Sequence, residues 1–282
     1  MRNAIIDLGS NSVRMSIWDD RKRIYNSRLF VRLSEGLASD NLLKEEPCNR
    51  TISALSEFSK KIAELSPDNL RVVATEALRR AYNSKEFIAR VKNETGLEIE
   101  ILSGDDESYY DYLSAKDLLS NKNAFLLDVG GGSLELIKVK NGSLDSHICL
   151  PLGAVVMTDL CSDDAKLLEE KIRYEFQKLS FFDGESYDII GLGGSVRTFF
   201  THVKANAHGE ILEKDEFYSF AEDIFSKDRE YLKKIPAFHE RFDVIKAGIM
   251  PFYVLFDMAN SEKIILSNKG VREGILEECL SR

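Results

Sequence analysis

Long apolar runs are missing from this chain. The longest, Ala247 to Phe256, is about half of what a bilayer-spanning helix requires and contains Pro251, so no segment reads as a membrane span. The N-terminus runs directly into an apolar strand with Asp7 close behind it, which leaves no room for the hydrophobic centre of a secretory signal, and a cytoplasmic protein is expected. Cysteine is sparse and scattered. Cys48, Cys149, Cys161 and Cys279 form no CxxC pair and the four histidines show no metal-ligand spacing, which argues against a thiolate zinc site and a disulfide framework and leaves buried thiols in a reducing compartment. Basic charge is also in short supply. A formal net charge of −9 argues against nucleic acid as a partner, because a basic surface is needed to displace counterions from its backbone. A small polyphosphorylated molecule stays admissible if a divalent cation and a few arginines reverse the field locally.

What is present is an ordinary globular composition, with 44% hydrophobic and 30% charged residues over 282 positions, enough for two domains of medium size. One motif occurs twice: Ile5-Ile6-Asp7-Leu8-Gly9-Ser10-Asn11-Ser12-Val13-Arg14 near the start and Leu126-Leu127-Asp128-Val129-Gly130-Gly131-Gly132-Ser133-Leu134-Glu135 near the middle. Each is an apolar run ending in Asp, a turn of small residues ending in Ser, and an alternating strand, which predicts strand, tight loop, strand. Small residues let backbone N–H groups come close to an anion, so Gly9, Ser10, Asn11 and Ser12 in one loop, and Gly130, Gly131, Gly132 and Ser133 in the other, are candidate phosphate contacts. Two residues beyond each loop serine the copies diverge. Arg14 carries the charge that neutralises phosphate, whereas Glu135, with Asp128 at the strand tip, carries the oxygen ligands that hold Mg²⁺ or orient water. Taken singly, each is equally well read as an exposed strand residue.

The order of elements repeats as well. Three strands, then helix, strand, helix, strand, helix fill the first half. The second half opens with strands near Phe125 to Val129, Leu134 to Val139 and Ser143 to Leu150, with the Asn141-Gly142 turn between the last two, and closes with a helix from Val271 to Leu280. This predicts an α/β protein of duplicated ribonuclease H-like domains, 1–120 and 121–282, around an interdomain cleft, with helical elaboration over Asp215 to Met258. A third small-residue loop, Gly193-Gly194-Ser195, follows a predicted strand and opens a helix, so its N–H groups are further candidates for phosphate; close packing alone would also call for glycine there.

In five segments the chain resembles the Ppx/GppA phosphatases, a family of exopolyphosphatases and guanosine pentaphosphate phosphohydrolases in the actin-like ATPase superfamily. The segments are Ile6 to Ser12, Ala74-Thr75-Glu76-Ala77-Leu78-Arg79, Ile101-Leu102-Ser103-Gly104 with Glu107, Asp128 to Glu135, and Gly270-Val271-Arg272-Glu273-Gly274. The resemblance implies hydrolysis of a terminal phosphoanhydride with Glu107 as catalytic base, Asp105 and Asp106 being rivals by proximity. It places Arg79 on substrate phosphate, and Arg241 resembles a family arginine that closes on the phosphate chain; Arg272 fits a family position that a helix cap or ion pair explains equally. Ser108 after the base, Asp106 before it and the Gly-Leu-Gly-Gly-Ser-Val loop depart from the family pattern. The chain ends without the further helical domains of longer members, so processive action on long polymers is not expected. The implied function is Mg²⁺-dependent release of orthophosphate from inorganic polyphosphate, with guanosine pentaphosphate as rival substrate and a homodimer as a compatible assembly. An actin-like ATPase or kinase, or a guanosine tetraphosphate sensor without turnover, are the other readings.

Overall fold

The computed structural model describes residues 1–203 and 207–281. Its first sheet grows from the predicted hairpin. Strands β1 (Arg2–Leu8), β2 (Ser12–Asp19) and β3 (Lys22–Phe30) run antiparallel, and β4 (Asn69–Ala74) and the two-residue β5 (Glu100–Ile101) add in parallel on the other side of β1, giving the order β3-β2-β1-β4-β5. Alternation explains the packing: Ala4, Ile6 and Leu8 on β1 and Val13, Met15 and Ile17 on β2 meet one apolar cluster. The helix Glu45–Leu65 covers that face with Cys48, Ile52, Leu55 and Phe58, a spacing of three to four residues.

The second sheet repeats the plan. Strands β6 (Ala124–Val129), β7 (Leu134–Lys140) and β8 (Ser143–Leu150) are antiparallel neighbours, β9 (Asp188–Leu192) pairs in parallel with β6, β10 (Ile211–Glu213) forms an antiparallel edge, and β11 (Lys263–Leu266) lies between β10 and β9. The order β10-β11-β9-β6-β7-β8 is therefore the first sheet's plan with one extra edge strand. Strand β6 is buried on both faces, which is why it reads as an unbroken apolar run: Phe125, Leu127 and Val129 enter one cluster, Ala124 and Leu126 another. The helical elaboration consists of Lys214–Ser226, Arg229–Leu232 and Ile245–Met258.

The chain divides at places other than the predicted 120/121 boundary: residues 1–107 with 272–282 form one unit and residues 108–271 the other. The closing helix, Val271–Ser281, accounts for the difference, because its side chains bind the first sheet. Arg21 donates to both carboxylate oxygens of Glu277 at 2.5 and 3.0 Å, Arg71 reaches Glu278 at 3.1 Å, and Arg272 donates to Ser16 Oγ at 2.7 Å. These partners lie more than 200 residues apart in sequence, beyond the reach of a local pattern.

One packing feature of the second unit predicts a pH dependence. His202 sits against the rings of Phe238 and Phe220, with centroids 4.7 and 6.3 Å away, and burial pushes its pKa below the usual value against a smaller upward pull from Asp223. The unfolded side chain titrates near ~6.5, so the unfolded state binds the proton more readily. The resulting stability is fully present above about pH 6.5 and is lost as pH falls from there through the folded value. Urea denaturation from pH 8 to pH 5 should show this decline, and His202→Phe should flatten it; an equal decline in the variant would assign the slope to other groups.

Candidate active site

Both hairpins hold their loops in the same way. In the first, Gly9 N–H donates to Ser12 O at 3.1 Å, and the loop carbonyls are drawn to one side: Ser10 O accepts from Ser34 N–H at 3.0 Å, and Asn11 O from the N–H groups of Val31 and Arg32 at 3.1 and 2.9 Å. Among the described residues the N–H groups of Ser10 and Asn11 donate no hydrogen bond. Arg14 lies opposite Asp7 across the hairpin, so the two side chains share a face, and Arg14 enters no ion pair among the described residues. Successive backbone donors beside a cation are groups of the kind an oxyanion can accept from.

The second loop is tied back more firmly, by an element the sequence reading missed. The helix Ala154–Cys161 begins immediately behind it, and its first amides cap the loop: Ala154 N–H donates to Gly130 O at 2.9 Å, Val155 N–H to Gly131 O at 3.0 Å, and Gly153 N–H to Gly132 O at 3.3 Å. Helix donors that would otherwise lack partners thus hold the loop carbonyls. The N–H groups of Gly131, Gly132 and Ser133 donate no hydrogen bond among the described residues. Gly153 makes the approach feasible, since a Cβ there would overlap the backbone of Gly131 and Gly132. The available signal was the Pro151-Leu152-Gly153 break ahead of a short apolar run.

The third loop meets the second through its glycines. Gly193, at φ +86°, brings its Cα against the Asp128 carboxylate, and Gly194 packs under the Arg241 guanidinium; a Cβ at either position would overlap those atoms. Asp128, Gly193, Gly194 and Arg241, all predicted site residues, are thereby brought together within the second unit. Ser195 is not part of that group as a side chain. It is fully buried, with its hydroxyl packed on Gly248 of the helix Ile245–Met258, so its side chain turns into helix packing instead of toward the loop.

Asp128 lies directly opposite Glu135 in the β6–β7 ladder, which sets two carboxylates on one face about 5 Å apart at Cβ. Like charges so placed are unfavourable unless a cation joins them. Glu135 is buried, and the Cys149 thiol donates to its Oε1 at 3.1 Å, a contact the sequence did not announce. Hard oxygen ligands of this kind suit Mg²⁺. No group of three or more His, Cys, Asp and Glu side chains is arranged as a metal site among the described residues.

The remaining carboxylate belongs to the first unit. The helix Gly104–Ser114 starts with a reciprocal cap in which Asp106 Oδ2 accepts from Ser103 N–H at 2.9 Å and Ser103 Oγ accepts from Asp106 N–H at 3.0 Å. Asp106 is therefore a capping group, and both it and Asp105 are exposed. Glu107 is buried, with Arg79 Nη1 donating to its Oε2 at 2.5 Å. Arg79, expected on substrate phosphate, here binds the candidate base. Its guanidinium also donates to Leu102 O at 2.8 Å and twice to Glu76 Oε2, so it is committed to carboxylates and a carbonyl.

Two sheets of one plan, each opened by a hairpin with a small-residue turn, define an actin-like ATPase fold. A family model described as Ppx/GppA phosphatase matches residues 16–282, and the chain belongs to that family. A crystal structure of the Aquifex aeolicus family member is 30% identical at a TM-score of 0.86, covering 100% of this chain and 98% of that one. A curated guanosine-5'-triphosphate,3'-diphosphate pyrophosphatase from Pseudoalteromonas translucida is 27% identical over 98% of this chain and 59% of its own length. An exopolyphosphatase from Cytophaga hutchinsonii, 18% identical at a TM-score of 0.88 with 100% and 98% coverage, shares the fold. The chain spans about half the length of the curated relatives it matches. No described helix is long and apolar enough to cross a membrane.

Proposed function

We propose that this chain is a Mg²⁺-dependent phosphohydrolase that releases terminal orthophosphate from inorganic polyphosphate, in the cytoplasm, with Glu107 as the base. The observation that carries the reading is the pair of loops whose carbonyls are tied back while their N–H groups are left to an anion. Phosphoryl transfer asks little covalent chemistry of a protein and depends on positioning and charge stabilisation. The N–H groups of Ser10, Asn11, Gly131, Gly132 and Ser133, with Arg14 and Arg241, bind and neutralise phosphate oxygens. Glu107 orients the attacking water and takes its proton. Asp128 and Glu135 would hold Mg²⁺, which when bound would supply positive charge to the phosphate.

Guanosine pentaphosphate is the second substrate reading, favoured by the name of the Pseudoalteromonas relative. Phosphate release from short polyphosphate, long polyphosphate and guanosine pentaphosphate at matched anhydride concentration separates the two. Release mainly from short polyphosphate is expected; release from guanosine pentaphosphate alone would transfer the assignment, and release from none would overturn it.

The metal role has its own test. Asp128→Ala and Glu135→Ala should each raise the Mg²⁺ concentration for half-maximal release by about tenfold or more, as loss of one ligand from a sparse site does. Unchanged Mg²⁺ titrations in both variants, with activity intact, would refute it.

A further inference from the structure

We propose that Glu76 is a positioning residue for Glu107, acting through Arg79; the proposal rests on Glu107 being the base. Glu76 and Arg79 stand three residues apart on the short helix Glu76–Arg80 that follows β4, close enough to face each other. One oxygen of Glu76, Oε2, accepts from both Arg79 Nε at 3.1 Å and Nη2 at 2.8 Å. That grips one edge of the planar guanidinium. The other edge, Nη1, is then aimed at Leu102 O at 2.8 Å and Glu107 Oε2 at 2.5 Å. A guanidinium clamped on one edge presents its remaining donors in fixed directions, which a free arginine with several rotatable bonds does not.

Position and charge both depend on this clamp. The side chains of Glu76 and Glu107 keep 18% and 8% of their exposure, so little water screens the row. A lone guanidinium against Glu107 would form a neutral pair, in which the carboxylate's pull on a water proton is largely satisfied. With Glu76 on its far edge, Arg79 is shared between two carboxylates, and these three groups together carry net negative charge. Glu76 thus fixes the direction of the Glu107 carboxylate and preserves its capacity to accept a proton, without touching substrate.

The experiment measures orthophosphate release from tripolyphosphate with Mg²⁺ in Glu76→Gln, Glu76→Asp, Glu107→Gln and the Glu76→Gln/Glu107→Gln double variant, each checked for folding by thermal denaturation. Glu76→Gln should lower kcat by about tenfold with KM within about twofold, and Glu76→Asp should recover most of that loss. In the Glu107→Gln background the further effect of Glu76→Gln should shrink below about twofold, because coupled residues are not additive. If Glu76→Gln does not fold, Arg79→Lys carries the same kcat and KM comparison, since an ammonium cannot bridge both carboxylates as the planar fork does. A rise in KM with kcat unchanged would overturn the proposal and return Arg79 to substrate binding, and equal losses in both backgrounds would overturn it as a structural effect. Loss of activity at Glu107 with none at Glu76 overturns the positioning role alone, whereas full activity in Glu107→Gln overturns the base assignment and the proposal together.

Discussion

Replacing Glu107 by Gln is expected to lower kcat for phosphate release by about two to four orders of magnitude while leaving fold and substrate affinity close to the parent, since positioned acid–base groups contribute on that scale. Gln has the same shape and keeps an oxygen to accept from Arg79 Nη1, so the arrangement around Leu102 and Glu76 is retained. What it loses is negative charge. The hydrogen bond to Arg79 is then charged on the arginine side alone, with an expected loss of about 1–3 kcal/mol of stability, visible as a lower denaturation midpoint and insufficient to unfold a typical domain. The neighbouring acids do not supply a substitute, because Asp106 is engaged in the helix cap with Ser103 and Asp105 is exposed. Binding and rate should therefore separate, with KM within a few-fold and kcat collapsed. Near-parental release by a correctly folded Glu107→Gln would remove it from the chemistry.

Much of the fold was legible because its signals are local. Both hairpins are bounded by an Asp at the strand end and a Ser after the small-residue turn, and the structure places them as paired strands in register Asp7 to Arg14 and Asp128 to Glu135. The repeated strand order follows from repeated sequence order. The site was legible to the extent that its groups lie in those turns. The bond from Arg79 to Glu107 was not legible because the two are 28 residues apart, and nothing in Leu78-Arg79-Arg80 tells a phosphate ligand from a carboxylate ligand. Ser195 was included on the strength of a Gly-Gly-Ser pattern for its backbone N–H, and the packing of its hydroxyl on Gly248, far along the chain, had no local signal. The closing helix was given to the second unit by adjacency, whereas its ion pairs with Arg21 and Arg71 tie it to the first. Glycine is the clearest case of such ambiguity, since one residue type answers to two unrelated demands.

Gly153 and Gly96 separate those demands. Gly96 ends the helix Ser84–Thr95 at φ +73° with open space around its Cα, so Gly96→Ala should destabilise by about 1–2 kcal/mol through backbone strain and leave phosphate release unchanged. Gly153 has φ −63° and ψ 156°, which alanine adopts freely; the constraint there is the missing side chain, because a Cβ would enter the backbone of Gly131 and Gly132. Those atoms belong to main chain and cannot swing aside as a side chain would. The helix Ala154–Cys161 must then withdraw, and the bonds from Ala154 and Val155 to Gly130 O and Gly131 O lengthen together. Once those carbonyls are released, the N–H groups of Gly131, Gly132 and Ser133 lose their common direction. Preorganised donors at a developing negative charge contribute about 10²–10³ each in rate, so Gly153→Ala is expected to reduce kcat/KM by at least about a hundredfold. Overpacking should also destabilise the second unit by about 1–3 kcal/mol, measured by urea denaturation. Full activity in Gly153→Ala, alongside the expected behaviour of Gly96→Ala, would show that the helix start does not set the loop's donors.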